Sequence, residues 1–264
     1  MSTFSTESIL GYSITTESCD SCLLQIRSWL ENKEHPRFFA CANPHSLVVA
    51  ARDPVYRSAL LSADLLTPDG TGIVLASRIL GGSIRKRITG TDVFVGVCKL
   101  LNDSKGSVFF LGSTEKNLAA IRAKMSKEYP TIRIAGTYSP TFKESFSPSD
   151  NNLMIRAINE MHPDVLWVGM TAPKQEKWVY EHLVRLDVGF VGAIGAVFDF
   201  YTGNVKRSHP AFQRVGLEWL PRLIKEPKRL WRRNFDSTPI FLWWLAKAKF
   251  EQILNGRFKR RNIS

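Results

Sequence analysis

Short apolar runs alternate with amphipathic stretches along the first 200 residues of the chain. The runs at 37–42, 107–111 and 165–168 have the length and composition of buried strands. Stretches with apolar residues at helical spacing follow them, such as 44–61 and 114–129. A repeated strand-helix order is typical of a mostly parallel sheet with helices on both faces. The pattern therefore predicts an α/β fold.

The other predicted elements continue the same alternation. Ser113 is placed to cap the helix that starts at residue 114, because its hydroxyl can accept from the first backbone N–H groups. Further strands are predicted at 9–14, 65–67, 132–135 and 188–192, and further helices at 18–30, 72–80, 91–101, 149–161 and 173–186.

The end of the chain differs from the body in charge and in aromatic content. Residues 206–264 contain 15 Lys or Arg against 4 Asp or Glu, so they carry nearly all of the net charge of +12. Four of the seven tryptophans also lie there. Cationic side chains mixed with amphipathic rings suit an anionic, partly apolar surface such as a membrane face. We therefore expect a nearly neutral core at 1–205 and a basic helical C-terminal appendage at 206–264.

Membrane contact is expected to be peripheral. No run reaches the roughly 18 consecutive apolar residues that a spanning helix needs. The first residues lack the basic start and the apolar run of a secretory signal. Residues 240–254 have apolar side chains at helical intervals, so this helix either docks on the body or lies flat on lipid. We expect a cytoplasmic protein on the inner face of the plasma membrane.

Metal and cofactor motifs are not found in the sequence. Cys19 and Cys22 form one close cysteine pair without a second pair at metal-binding spacing, and the five histidines are scattered. Gly70-Thr71-Gly72 has Leu75 where a dinucleotide fingerprint needs its third glycine, and there is no Walker phosphate loop. We therefore predict no metal and no cofactor.

Polar residues follow four of the predicted strands, where open α/β sheets bind their ligands. Asp69 follows the strand at 65–67 and a proline, and it precedes Gly70. A carboxylate at this position can serve as a general base. It can equally be an ordinary turn or capping residue, as most Asp-Gly pairs are. The four segments are 41–44, 67–72, 169–176 and 193–199.

Three arginines of the appendage recur at helical spacing. Arg222, Arg229 and Arg232 fall on one side of a helix, if that helix continues across Pro227. Guanidinium groups in such a row could meet the charge of a departing nucleoside diphosphate in place of a divalent cation. The same row could instead be a solvated or lipid-facing basic stripe.

Taken together, these motifs resemble the WecG/TagA/CpsF glycosyltransferases, also called glycosyltransferase family 26. The resemblance covers roughly residues 8 to 235 in the family's order and spacing. Each motif alone is weak, and their joint occurrence is specific. They are Asn43-Pro44, Asp69-Gly70, Ala172 with Pro173, Lys174, Gln175 and Glu176, and the segments 9–11, 63–72, 87–92, 110–112, 191–199, 203–207, 216–219 and 226–229.

The resemblance implies an inverting, metal-independent glycosyltransferase with a Rossmann-like core. Such an enzyme would move a sugar of the N-acetylmannosamine type, its uronate, or glucose from a UDP-sugar to a polyprenyl-diphosphate-linked acceptor in cell-envelope polysaccharide synthesis. The appendage would help to complete the active site at an anionic membrane surface.

The resemblance also assigns roles to particular residues. Asp69 matches the family's proposed base, and Asn43, Arg87 and Gln175 match polar residues of the same pocket. Arg222, Arg229 and Arg232 match arginines thought to meet the diphosphate. Cys41 stands where the family often has threonine, and a thiol is a weaker hydrogen-bond partner than a hydroxyl. The predicted donor- or acceptor-binding set is Cys41, Asn43, Arg87, Gln175, Gly192 and Asp199.

Two functions from other classes compete with this interpretation. The basic, aromatic tail could belong to a nucleic-acid-binding module, although that would leave the polar strand ends of the neutral body unexplained. The chain could also be a non-catalytic nucleotide-binding or scaffold protein in which Asp69 and Gln175 are structural. We expect no nucleic-acid partner. Exposed apolar residues in the tail are compatible with a homo-oligomer.

Overall fold

Strands form at nearly every apolar run of the body. The computed structural model describes residues 4–32, 34–205 and 236–261, with side chains up to residue 254. The central strands are almost continuously apolar because helices cover both of their faces. The strands are β1 (Thr6–Ile9), β2 (Tyr12–Thr15), β3 (Arg37–Ala42), β4 (Leu65–Pro68), β5 (Ser107–Gly112), β6 (Arg133–Tyr138), β7 (Val165–Gly169) and β8 (Phe190–Ala193).

Helices follow the strands, and several of them begin at a side chain that caps their first turn. At α5, Thr89 and Asp92 each accept from the other's backbone N–H, which forms a capping box. The helices are α1 (Cys19–Asn32), α2 (Pro44–Ala50), α3 (Pro54–Leu61), α4 (Thr71–Leu80), α5 (Gly90–Ser104), α6 (Glu115–Glu128), α7 (Pro148–Asn159), α8 (Lys174–His182), α9 (Val197–Thr202) and α10 (Ser237–Arg261).

Within the described residues, six strands form one parallel sheet in the order β4-β3-β8-β7-β5-β6. Because the strands are parallel, their carboxyl ends meet at one edge of the sheet. Alternate side chains enter two apolar layers, so Phe38 packs on one face and Phe39 on the other. This architecture confirms the predicted α/β, Rossmann-like fold class.

Two predicted elements are divided in the structure. The run at 9–14 is not one strand, because Leu10 and Gly11 adopt positive φ angles of 52° and 86° and turn the chain into the β1-β2 hairpin. The stretch at 44–61 is two helices, α2 and α3. Asp53 caps α3 by accepting from the backbone N–H of Tyr56 at 3.0 Å, and Pro54 cannot donate to a continuous helix.

The predicted cap of α6 is also wrong by one residue. Thr114 is the N-cap and accepts from the backbone N–H of Asn117 at 3.3 Å. Ser113 instead has a φ of 62°, and its hydroxyl accepts from the Asn117 side-chain amide at 2.9 Å. Ser113 has a left-handed backbone conformation, whereas an N-cap residue normally has an extended one, so the cap falls on Thr114.

The last helix, α10, docks on the body of the protein. Phe241 and Leu245 are only 2 % exposed and belong to the same apolar cluster as residues of α2 and α4. At the start of α10, Ser237 Oγ lies 2.8 Å from His45 Nδ1 in α2. Of the two placements that its sequence allows, docking is therefore observed, and this part of the 206–264 segment shares the core of the body.

We predict that Phe241→Ala lowers the free energy of unfolding by about 3–5 kcal/mol, because it removes a fully buried ring and leaves a cavity. Phe250 lies on the same helix but is 61 % exposed, so Phe250→Ala should cost less than about 1 kcal/mol. Urea denaturation of the two variants and the wild type measures both values. Equal losses for the two variants would contradict the docking of α10.

Candidate active site

Asp69 and Arg87 lie at the carboxyl edge of the sheet, beside the ends of β3 and β4. The backbone N–H of Asp69 donates to the carbonyl of Ala42 at 2.8 Å, directly beyond β3. The N–H of Ile88 donates to the carbonyl of Pro68 at 2.9 Å, which places the segment containing Arg87 on the other side of β4. Both side chains are half-buried. The structure therefore brings the predicted base and the predicted cation to the same edge.

Glycines shape the turn that follows Asp69. Gly70 has a φ of 97°, in the left-handed region that favours glycine, and it forms the N-cap of α4. A Cβ at Gly72 would lie 2.4 Å from Cγ of Pro44, so only glycine lets α4 approach the start of α2 so closely. The turn motif is thus explained by local geometry, and it holds Asp69 just before a helix N-terminus.

Cys41 lies near the carboxyl end of β3, where the charge of Asp69 acts on its thiol. Its Sγ lies 3.5 Å from Oγ1 of Thr67, the residue opposite it in the register of β3 and β4. Burial raises the pKa of the Cys41 thiol well above its usual range, and the nearby negative charge of Asp69 raises it further. Cys41 therefore stays a neutral S–H group at physiological pH, beside the candidate base.

Asn43 combines a structural and a candidate binding role. Its Oδ1 accepts from the backbone N–H of Ser46 at 3.0 Å, and Ser46 Oγ accepts from the backbone N–H of Asn43 at 2.8 Å. This capping box starts α2. One end of the amide is therefore committed to the helix, and the Nδ2 end is the part that can turn toward a ligand.

Gln175 is buried in the first turn of α8, where the loops after β7 and β8 meet. Its Oε1 accepts from the backbone N–H of Met170 at 3.2 Å, and its Nε2 donates to Oε1 of Glu176 at 2.9 Å. A Cβ at Gly195 would lie 3.3 Å from both amide atoms. The amide is thus enclosed between two strand-end loops, with its orientation fixed at both ends.

Glu176 also lies at this edge of the sheet; it belongs to the motif that ends at residue 176, but it is not among the site residues predicted from the sequence. It is only 4 % exposed, and burial raises the pKa of its carboxyl to about 7 against the opposing hydrogen bond from Gln175. Its negative charge contributes to the raised pKa values of Cys41 and Tyr56. A Glu in the first turn of a helix is normally a solvated residue, so its burial could not be inferred from the pattern alone.

Gly192 and Asp199 each have a structural contact in the described residues. Gly192 lies inside β8, where a Cβ would stand 2.1 Å from Cζ3 of Trp167, so its lack of a side chain is explained by packing. Asp199 belongs to α9, and its Oδ1 accepts from Nδ2 of Asn117 at 3.0 Å. That network also includes Ser113, at the end of β5. These contacts give Gly192 a packing role and Asp199 a hydrogen-bonding role, and their part in ligand binding stays a prediction.

Other predicted features lie beyond what the structure can place. Arg222, Arg229 and Arg232 fall outside the described residues.

Among residues 4–32, 34–205 and 236–261, no three His, Cys, Asp or Glu side chains form a group that could hold a metal ion. In the same ranges, no helix has both the length and the apolar character required to cross a bilayer.

Comparison with known proteins adds an independent line of evidence. The model of the glycosyl transferase WecG/TagA/CpsF family matches residues 7–254. Three similar relatives carry the name N-acetylglucosaminyldiphosphoundecaprenol N-acetyl-beta-D-mannosaminyltransferase. The relative from Bacillus subtilis is 35% identical over 78% of each chain, and that from Bacillus spizizenii is 32% identical over 74% of each. The relative from Staphylococcus aureus strain MW2 is 27% identical over 91% of this chain and 92% of its own.

The family model spans nearly the whole chain, including the strand-end residues and the docked helix. The relatives also align over most of their length. The chain therefore belongs to the glycosyl transferase WecG/TagA/CpsF family.

Proposed function

We propose that this protein transfers a sugar of the N-acetylmannosamine type from a UDP-sugar to N-acetylglucosamine linked to undecaprenyl diphosphate. The names of the relatives support this donor sugar and this acceptor. The observation that carries the proposal is the grouping of Asp69 with Cys41, Asn43 and the Arg87 segment at the carboxyl edge of the sheet. A uronate or a glucose donor would fit the same chemistry.

The proposed reaction is a single displacement with inversion at the anomeric carbon. Asp69 takes the proton of the acceptor hydroxyl while that oxygen forms a bond to the anomeric carbon, and the bond to UDP breaks with its electron pair leaving on the diphosphate. Asp69 lies one residue before the N-cap of α4. The positive end of the helix dipole favours the anionic carboxylate there, which is the form a base requires.

Arginines are proposed to meet the charge of the departing UDP. Arg87 is the described candidate at this edge, and the appendage residues Arg222, Arg229 and Arg232 are proposed to complete the set. Guanidinium groups bind phosphate oxygens through paired, charge-assisted hydrogen bonds. This arrangement would stabilise the leaving group without a divalent metal.

Cys41 is proposed to contact the donor sugar. The thiol is kept protonated by burial and by the charge of Asp69, so it offers a weak S–H donor. A threonine in its place would offer a stronger hydroxyl. The way in which this site holds a sugar hydroxyl or acetamido group therefore differs from that of relatives with threonine.

The outer face of α10 supports a peripheral contact with the inner face of the plasma membrane. Opposite the docked face, the part of α10 up to residue 254 exposes five large apolar side chains, and Lys247 and Lys249 lie at the borders of this surface. Apolar residues flanked by lysines suit the interface of an anionic bilayer. We call this surface the outer α10 face; it consists of Leu242, Trp243, Phe250, Ile253 and Leu254.

Replacing Asp69 with Asn should lower the rate of transfer by about 10²- to 10⁴-fold, because the amide cannot accept the proton of the acceptor hydroxyl. Binding of UDP, measured by calorimetry, should remain close to that of the wild type. Transfer is measured by mass spectrometry with UDP-N-acetylmannosamine and a polyprenyl-diphosphate-N-acetylglucosamine analogue.

Asp64→Asn is the matched control. Asp64 lies before the amino end of β4, at the opposite end of the strand from Asp69, and its Oδ1 lies 2.9 Å from Nη1 of Arg37. It should lower stability without lowering kcat by more than about threefold. Near-normal turnover of Asp69→Asn would remove Asp69 from the role of base.

Changing both Trp243 and Phe250 to Glu should weaken binding to phosphatidylglycerol vesicles by about tenfold or more, since two exposed apolar rings could no longer enter the interface. Transfer to an acceptor embedded in the vesicles should fall in parallel. Transfer to a short-chain, water-soluble acceptor should be unchanged. Vesicle sedimentation and the transfer assay measure these effects.

Val184→Glu is the control for an added charge at an exposed apolar position, because Val184 is 92 % exposed and lies beyond α8. It should leave vesicle binding intact. Wild-type sedimentation of the double variant would contradict the role of the outer α10 face. Truncating the appendage is a poorer test, because it would also remove the buried Phe241 and Leu245.

A further inference from the structure

Glu176 is a buried carboxyl that the proposed reaction does not use. Its Oε1 accepts from Nε2 of Gln175 at 2.9 Å. Its Oε2 is buried and has no hydrogen-bond partner among the residues that the structure describes. A buried carboxyl with one unsatisfied oxygen is costly, so its presence beside a site residue calls for a physical reason.

We propose that Glu176 is a positioning residue that fixes the orientation of the Gln175 amide at the carboxyl edge of the sheet. This inference rests on the proposed function, because it assigns Glu176 a part in the same site. Glu176 acts through Gln175 and does not itself touch the reacting atoms.

A glutamine amide is nearly symmetric, because its oxygen and nitrogen ends have almost the same shape. The backbone N–H of Met170 requires an acceptor, and it meets Oε1 of Gln175 at 3.2 Å. The Glu176 carboxyl requires a donor, and it meets Nε2. A flipped amide would break both contacts. The second Nε2 hydrogen is thereby kept available beside Gly195, at the strand-end loop after β8.

Glu176 is itself held in place by the packing of α8 on α3. Lys177, its neighbour in sequence, forms a 2.9 Å ion pair with Asp53, the N-cap of α3. Tyr56 of α3 is 2 % exposed, and its pKa is raised by burial and by the charge of Glu176. Ser46, which forms the capping box with Asn43, opposes this rise in the pKa of Tyr56. Ser46, Tyr56, Gln175 and Glu176 are thus buried polar residues, and the charge of Glu176 acts on Tyr56.

The ionisation of Glu176 adds a pH dependence to the hydrogen bond between Gln175 Nε2 and the Glu176 carboxyl. Burial raises the pKa of the carboxyl to about 7. Among the described residues, its charge acts on the titratable groups of Cys41 in β3 and Tyr56 in α3, and burial keeps both neutral. The charge of Asp69 also reaches the Cys41 thiol. As the pH rises through 7, the anionic carboxylate becomes a stronger acceptor for Nε2, so the Gln175 amide is held more firmly.

A double-mutant cycle tests the positioning role in the full chain. Glu176→Leu removes the acceptor while it fills the space, and it should lower kcat/KM by about tenfold, because Nε2 loses a buried partner. Gln175→Ala should also lower kcat/KM. The double variant should be no worse than Gln175→Ala alone within about threefold, because Glu176 acts through Gln175. Losses that multiply in the double variant would overturn the proposal.

Glu176→Gln keeps the volume and an acceptor oxygen but cannot ionise. Between about pH 6 and about pH 8, kcat/KM of the wild type should rise as Glu176 ionises, and this rise should be absent from the pH profile of Glu176→Gln. Glu181→Gln, an exposed position on the same helix, should keep the wild-type profile. If Glu176→Gln also keeps that profile, the ionisation of Glu176 has no role in the site.

A measurement without turnover separates this inference from the proposed function. The side-chain ¹⁵N resonance of Gln175, identified by its loss in Gln175→Ala, should titrate near pH 7 in the wild type and not in Glu176→Gln. An inactive wild-type chain that shows this titration would refute the proposed function and retain the contact. A resonance that does not titrate would refute the contact, whatever the activity.

Discussion

The site depends on the parallel pairing of β3 with β4 and β8. This register places Ala42 opposite Pro68, so that the next residue, Asp69, can donate its backbone N–H to the carbonyl of Ala42. A shift by one residue would turn every side chain of the shifted strand to the other face of the sheet. Cys41 and Thr67 would then no longer face each other beside Asp69. Backbone hydrogen bonds between the strands therefore determine where the candidate site residues lie.

Much of this arrangement can be predicted from the sequence. Apolar runs of strand length set β3, β5 and β7, and the rule that ligands bind at carboxyl ends of strands led to Asp69 and to the Gln175 segment. The errors occurred where local chemistry competes with periodicity. Leu10 and Gly11 turn an apolar run into a hairpin, and Asp53 with Pro54 divides an amphipathic stretch into two helices.

The tertiary environment decides the remaining features. Gly192 looks like part of a loop motif, but it lies inside β8, where the ring of Trp167 on the neighbouring strand β7 occupies the space of a side chain. Glu176 looks like a solvated residue in a first turn, yet the packing of α3 on α8 buries it. Similarly, α10 has apolar residues on two faces, and only the fold shows which face is covered.

The position of α10 has a consequence for how far the site stands from a bilayer. Its inner face packs on α2, whose first residue follows Asn43, while its outer face remains exposed. If the outer face rests on lipid, the thickness of one helix, about 10–12 Å, separates α2 from the membrane surface. In that arrangement, α10 keeps α2 at a fixed distance from the membrane surface. An acceptor sugar raised above the headgroups by its diphosphate would then come closer to α2 than a sugar lying among the headgroups.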